Sequence, residues 1–191
     1  MNTMSIDQDI DEYFNKVKDT LNRLDRKKLS QLVTLLHAAY EKERTIFVFG
    51  NAGSASTASH FCGDFVKGAS YGKDKRFKMM CLTDNIAAIM AIANDISYED
   101  IFIEQLKNFL KKDDIVIGIS GSGNSRNVVK ALEFANIIGA TTIAFCGYNG
   151  GEIKNIASLA VHADINDMEV SEDIHLIIEH CIKQILIKQI G

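Results

Sequence analysis

The sequence contains no proline and no tryptophan, and only four cysteines in 191 residues. The first two absences carry no functional conclusion. The cysteines do: Cys62, Cys81, Cys146 and Cys181 are too far apart to make a Cys-x-x-Cys pair. That spacing argues against a disulfide framework and leaves them as reduced thiols, mostly buried small hydrophobes. No apolar run reaches the roughly 18 residues that a membrane span requires. The opening stretch MNTMSIDQDIDEYF is acidic and lacks an apolar segment, so no signal peptide is expected and the compartment reading is cytoplasmic. There is no long basic block, and the net charge is −4, which argues against nucleic acid or an anionic membrane as the main partner.

What is present is an ordinary globular composition, 47% hydrophobic and 24% charged, at a length that fits one domain over residues 1–191. The chain is organised around IVIGISGSGNSRNVVK, Ile115 to Lys130. Ile115 to Ile119 is an apolar run of buried-strand length. Ser120-Gly121-Ser122-Gly123-Asn124-Ser125 is small or polar throughout, and Val128, Val129 and Leu132 then resume helical spacing. A strand, a small-residue loop and a helix direct free backbone N–H groups at an anion. Glycines let the main chain approach, and serine hydroxyls add donors. This is read as a phosphate cradle, although such turns also occur where nothing binds. No lysine stands where a P-loop needs one, and the pattern is not G-x-G-x-x-G, so a nucleotide is not favoured.

The same device comes earlier. Thr45 to Phe49 reads as a strand ending in Gly50, Asn51 to Ser56 as a Gly/Ser loop, and Thr57 to Lys67 as a helix. Two such loops predict a crevice at the carboxyl edge of one parallel sheet. Further strands are expected at Phe77–Leu82, Thr141–Cys146 and Leu159–His162, with helices at about 86–93, 98–110, 151–157 and 170–190. The alternation predicts an α/β three-layer sandwich with a parallel sheet of five strands. Before it, residues 1–43 form a charged amphipathic arm, read as helix from about Ile6 to Lys42, that packs on its own domain or on a second copy.

Among ionisable groups, His60 and Asp64 lie four apart on one helical face, and Glu172 and His180 lie eight apart, roughly 80° around the last helix. Two histidines and two carboxylates make a divalent-metal set, with Zn²⁺ first on ligand type, or a proton-transfer set without metal. Taken singly, each pair also reads as polar positions on a helix surface. His175 lies off that side and reads as structural.

These residues resemble the sugar isomerase (SIS) domain family and, within it, the phosphoheptose isomerases, over nearly the whole chain. Gly50-Asn51-Ala52-Gly53-Ser54 resembles the family's GNGGS, with Ala52 in place of a glycine, and His60-Phe61 its HFAEE segment. Asn94-Asp95 resembles ND, Ile119 to Ser125 ISTSGNS, Gly147 to Gly151 GxxGG, and Glu172 to His180 QEIHxxxxH. The resemblance implies a flavodoxin-like sheet and a homotetramer with active sites shared between subunits. It implies interconversion of sedoheptulose 7-phosphate and D-glycero-D-manno-heptose 7-phosphate through an enediol. By position it makes Asp64 the base and His180 its catalytic partner, with His60, Asp64, Glu172 and His180 holding zinc. Ser120, Ser122 and Ser125, with Gly121, would take the phosphate. Asn51, Ala52, Gly53, Ser54, Asn94, Asp95 and Glu172 would line the sugar.

Two positions depart from the pattern. Asp64 stands where the family has glutamate, which sets its carboxylate about 1 Å farther back, a displacement that can cost on the order of 100-fold in rate. Glu172 stands for glutamine and adds negative charge; it strengthens cation binding, repels an anionic enediol, and could itself serve as the base. The alternatives are a non-catalytic sugar-phosphate-binding or adaptor protein of the SIS family, of the kind that associates with a replication initiator, and a regulatory sugar-phosphate sensor.

Overall fold

The computed structural model describes residues 5–191. Residues 1–4 of the predicted N-terminal arm lie outside it. The rest of that arm is two helices rather than one, α1 (Ile6–Arg23) and α2 (Arg26–Glu41). Asp25 makes the break by accepting from the N–H groups of Lys27 and Lys28 as the N-cap of α2.

Five strands follow: β1 (Thr45–Gly50), β2 (Lys78–Cys81), β3 (Ile115–Ser120), β4 (Thr141–Cys146) and β5 (Leu159–His162). They form one parallel sheet in the order β2-β1-β3-β4-β5. This is the flavodoxin-like order, and the expected three-layer architecture is present. Interleaved with the strands are α3 (Ala52–Gly63), α4 (Ile86–Asp95), α5 (Ile103–Phe109), α6 (Arg126–Ile138), the short α7 (Ile153–Ile156) and α8 (Met168–Gln189).

Strand alternation divides the core. Ile46, Val48, Ile117, Ile119 and Phe145 pack on one face beneath α1, α2, α3 and α8. Phe47, Phe49, Val116, Ala144 and Cys146 pack on the other beneath α5, α6 and α7. β3 is buried at every position, as its unbroken apolar run requires.

The chain leaves β1 toward β2 on one side and β3 toward β4 on the other. The loops after β1 and β3 therefore meet at the reversal point, where open α/β sheets take ligands. The expected helix at 98–110 is a single turn, Tyr98–Asp100, followed by α5, and one boundary beside the site also differs from expectation. Residues 52–56 are not loop but the opening of α3, because Asn51 remains extended and the small side chains after it allow helix at once. At its far end α3 runs directly into a π-helical stretch, Asp64–Ala69.

Candidate active site

The site is built from α3 and α8, which lie side by side in the same direction. Gly53 meets Glu172, His60 meets His180, and Asp64 meets Lys183. The N-terminal ends of both helices border the β1 and β3 loops.

At that end Asn51, Ala52, Ser54, Ser120, Gly121, Ser122, Ser125 and Glu172 line one cavity of about 210 Å³, with Met168 at its wall. The three serine hydroxyls converge: Ser120 Oγ donates to Ser125 Oγ at 3.1 Å and lies 3.5 Å from Ser122 Oγ. The β3 loop is braced by the Gly147–Gly151 turn. Ile153 N–H donates to the Gly123 carbonyl, Gly147 N–H to that of Gly121, and Glu152 N–H to Asn124 Oδ1. Gly123 has φ +70°, and a side chain there would run into the Gly150 carbonyl. Asn51 is fixed by Asn127, which exchanges amide hydrogen bonds with it, and by the Tyr98 hydroxyl, 3.1 Å from Asn51 Oδ1. Neither partner was singled out from sequence; both are separated from Asn51 along the chain.

The two Gly/Ser devices are not equivalent. The α3 N-terminus is filled from within the chain, where the Glu172 carboxylate packs against Gly53 in its first turn. It lies so close to Gly53 that a β-carbon there would displace it. Burial, and then the nearby Glu169 carboxylate, push the Glu172 carboxyl above its ordinary value. The β3 loop and its serines remain open to an anion.

Farther along the helix pair, the structure gathers His60, Asp64, Glu179 and His180, with one ligand atom of each within 4.8 Å of all the others. The imidazole Nε2 atoms of His60 and His180 are 2.8 Å apart. Asp64 Oδ2 lies 3.5 Å from the first and 3.7 Å from the second. Burial acts to raise the Asp64 carboxyl, but the Lys183 ammonium bonded to it, with the two histidines, outweighs this and lowers it.

Three of the four residues expected to hold a metal thus come together, and Glu172 is not among them. Helix geometry is the reason. Glu172 sits about 12 Å back along α8 from His180 and lies against Gly53 at the other end of α3. Glu179 joins the group instead. It is seven residues from Glu172, so about 20° short of two full turns and on the same stripe facing α3. That seven-residue repeat was the available signal for it. Asn94 and Asp95 lie apart from the cavity, exposed at the C-terminal end of α4, with Asn94 Nδ2 donating to Asp95 Oδ1 at 2.7 Å. His175 is fully buried and structural: its Nε2 donates to the Cys146 carbonyl, and its ring meets Phe145 edge-on.

A parallel sheet with an anion loop at its reversal point, and an imidazole–carboxylate cluster beside it, define a class of small-molecule enzyme acting on phosphorylated substrates. The SIS domain profile matches residues 12–147. A probable phosphoheptose isomerase of Thermoplasma acidophilum is 35% identical over 159 residues, 83% of this chain and 87% of that one. The phosphoheptose isomerase of Helicobacter pylori strain P12 is 35% identical over 164 residues, 86% of this chain and 84% of that one. The solved structure of a phosphoheptose isomerase from Francisella tularensis superposes with a TM-score of 0.87 at 25% identity, covering 97% of this chain and all of that one. The chain belongs to the SIS domain family.

Proposed function

We propose that the protein is an aldose–ketose isomerase that interconverts sedoheptulose 7-phosphate and D-glycero-D-manno-heptose 7-phosphate in the cytoplasm. The observation that carries this reading is the pairing of α3 and α8, which puts a serine-lined anion loop at one end and Asp64 with two histidines farther along. The offset between Glu172 and His180 is about 12 Å along α8. It suits a sugar whose reacting carbons lie at the opposite end from its phosphate. The named relatives in Thermoplasma and Helicobacter support the heptose assignment.

In the direction from ketose to aldose, Asp64 takes a proton from C1 and returns it to C2. His180 carries the hydroxyl proton from the C1 oxygen to the C2 oxygen, through an enediol. Ser120, Ser122, Ser125 and the N–H groups at the start of α6 hold the phosphate. Asn51, held by Asn127 and Tyr98, orients the sugar hydroxyls. Two imidazoles and a carboxylate fit a divalent transition metal, zinc first. Held by His60, Asp64 and His180, it would polarise the C1 and C2 oxygens.

We also read the assembly as a homotetramer whose subunits complete one another's sites. The supporting features are a small cavity in the single chain, Asn94 and Asp95 standing outside it, and an apolar α4 with no buried residue.

The test is deuterium exchange from solvent with C5 to C7 ketose phosphates. The heptulose phosphate is expected to exchange and turn over best, with Asp64→Asn and His180→Ala each slower by roughly 100-fold or more. Full activity in both variants overturns the assignment. A protein that binds the sugar phosphate without exchange would instead be a binding member of the family.

A further inference from the structure

Glu179 is the anomaly of the site. Its side chain is completely inaccessible to solvent, and among the described residues neither carboxylate oxygen has a hydrogen-bond partner. A carboxylate in that condition is costly to keep, since burial without a partner forfeits its hydration. Yet it is aimed at a definite place: Oε2 lies 3.7 Å from His60 Nε2 and 3.6 Å from His180 Nε2. Those separations, and the 3.5 and 3.7 Å from Asp64, are near the edges of a tetrahedron. Four N and O ligands at about 2.0–2.1 Å from a shared centre stand roughly 3.3–3.5 Å from one another. Among these five separations the imidazole pair, at 2.8 Å, is the short one.

Resting on the metal-assisted reading above, we infer that Glu179 is the fourth ligand of a divalent cation shared with His60, Asp64 and His180. It takes the place that the family pattern gives to residue 172, and Glu172 is left to the sugar cavity. The arrangement offsets the shortened Asp64, because a second carboxylate converges on the same two imidazoles from α8. It also explains why Glu172 is occupied elsewhere, packed against Gly53 at the cavity wall.

The readout is metal content and affinity of the full chain, with zinc and with cobalt(II), whose visible absorption reports coordination. The wild type should bind one ion per chain. Glu179→Gln should bind at least 100-fold more weakly and lose the cobalt bands, a larger effect than the roughly 10–100-fold typical of losing an outer partner. Glu172→Gln should retain wild-type affinity and bands. Because Glu179→Gln could also act by disturbing the fold, Asp64→Glu is added to it: the longer carboxylate should recover most of the lost affinity, which a misfolded protein would not do. If Glu172→Gln loses the metal and Glu179→Gln keeps it, the inference is overturned and the isomerase reading stands. If the wild type binds no ion, the metal-assisted reading fails with it.

Discussion

At Ala52 the backbone sits at φ +48°, a conformation that penalises any β-carbon. It lies at the entrance to α3, between the N-cap Asn51 and the Gly53 that abuts Glu172. The SIS pattern has glycine at this position. Relief of the left-handed strain, less the extra freedom that glycine gives the unfolded chain, should make Ala52→Gly more stable by about 0.5–1 kcal/mol, read from urea denaturation. His175 sets a pH response. Burial, with a smaller contribution from His162, holds its imidazole down to about 4 against the Cys146 carbonyl bond, whereas the unfolded residue titrates near 6.5. Between those values the unfolded chain carries a proton that the folded chain does not. Stability should therefore fall as pH drops from about 6.5 to 4, by up to about 3 kcal/mol, and be fully retained above that window. His175→Gln should flatten the dependence when denaturation midpoints are compared at pH 7, 5.5 and 4.5. Asp64, held below its ordinary value, contributes its loss at lower pH still.

The loop after β3 works as one element with the Gly147–Gly151 turn, since each fills the space a side chain would need in the other. Gly123→Ala places a β-carbon 2.1 Å from the Gly150 carbonyl at a positive φ, and backbone cannot swing aside as a side-chain tip can. That variant should lose about 2 kcal/mol or more of stability and bind phosphorylated sugars more weakly, by calorimetry with the sugar phosphate. Elements of this kind were readable in advance because their signals are local. Ile115–Ile119 is an uninterrupted apolar run, and the small residues behind it can form little but a turn. Helix phase gave His60 with Asp64 for the same reason. What could not be read depends on which helices lie together. Glu172 and Glu179 share a stripe of α8, and only the parallel packing of that helix on α3 sends one to Gly53 and the other to His60. The opening of α3 at Ala52 was equally hidden, because a run of Gly, Ser and Ala carries no apolar period to count.

For the whole molecule the decisive feature is α4. Residues 86–93 are eight consecutive apolar residues, yet Ile86 and Met90 are each 67% exposed and no residue of the helix is buried in its own chain. A second apolar surface, formed where Leu21, Leu29 and Val33 face Ile177 and Ile185, encloses about 420 Å³ and lies away from the serines. Such faces are costly in water and call for cover. α4 ends in Asn94 and Asp95, the two sugar-lining candidates that stand apart from the cavity of their own chain. Cover for α4 by another copy would therefore bring two further polar groups toward a sugar site. The single-chain cavity, about 210 Å³, is smaller than the roughly 300–1,000 Å³ usual for ligand pockets, which is what a site awaiting a neighbour's wall would show. On this reading Ile86→Glu combined with Met90→Lys should leave each chain folded, since neither side chain is part of its core. The pair should lower the mass measured by light scattering from four chains and abolish turnover together with it. A variant of wild-type mass, or a dissociated one that still turns over at the full rate, would separate assembly from catalysis and remove the shared site.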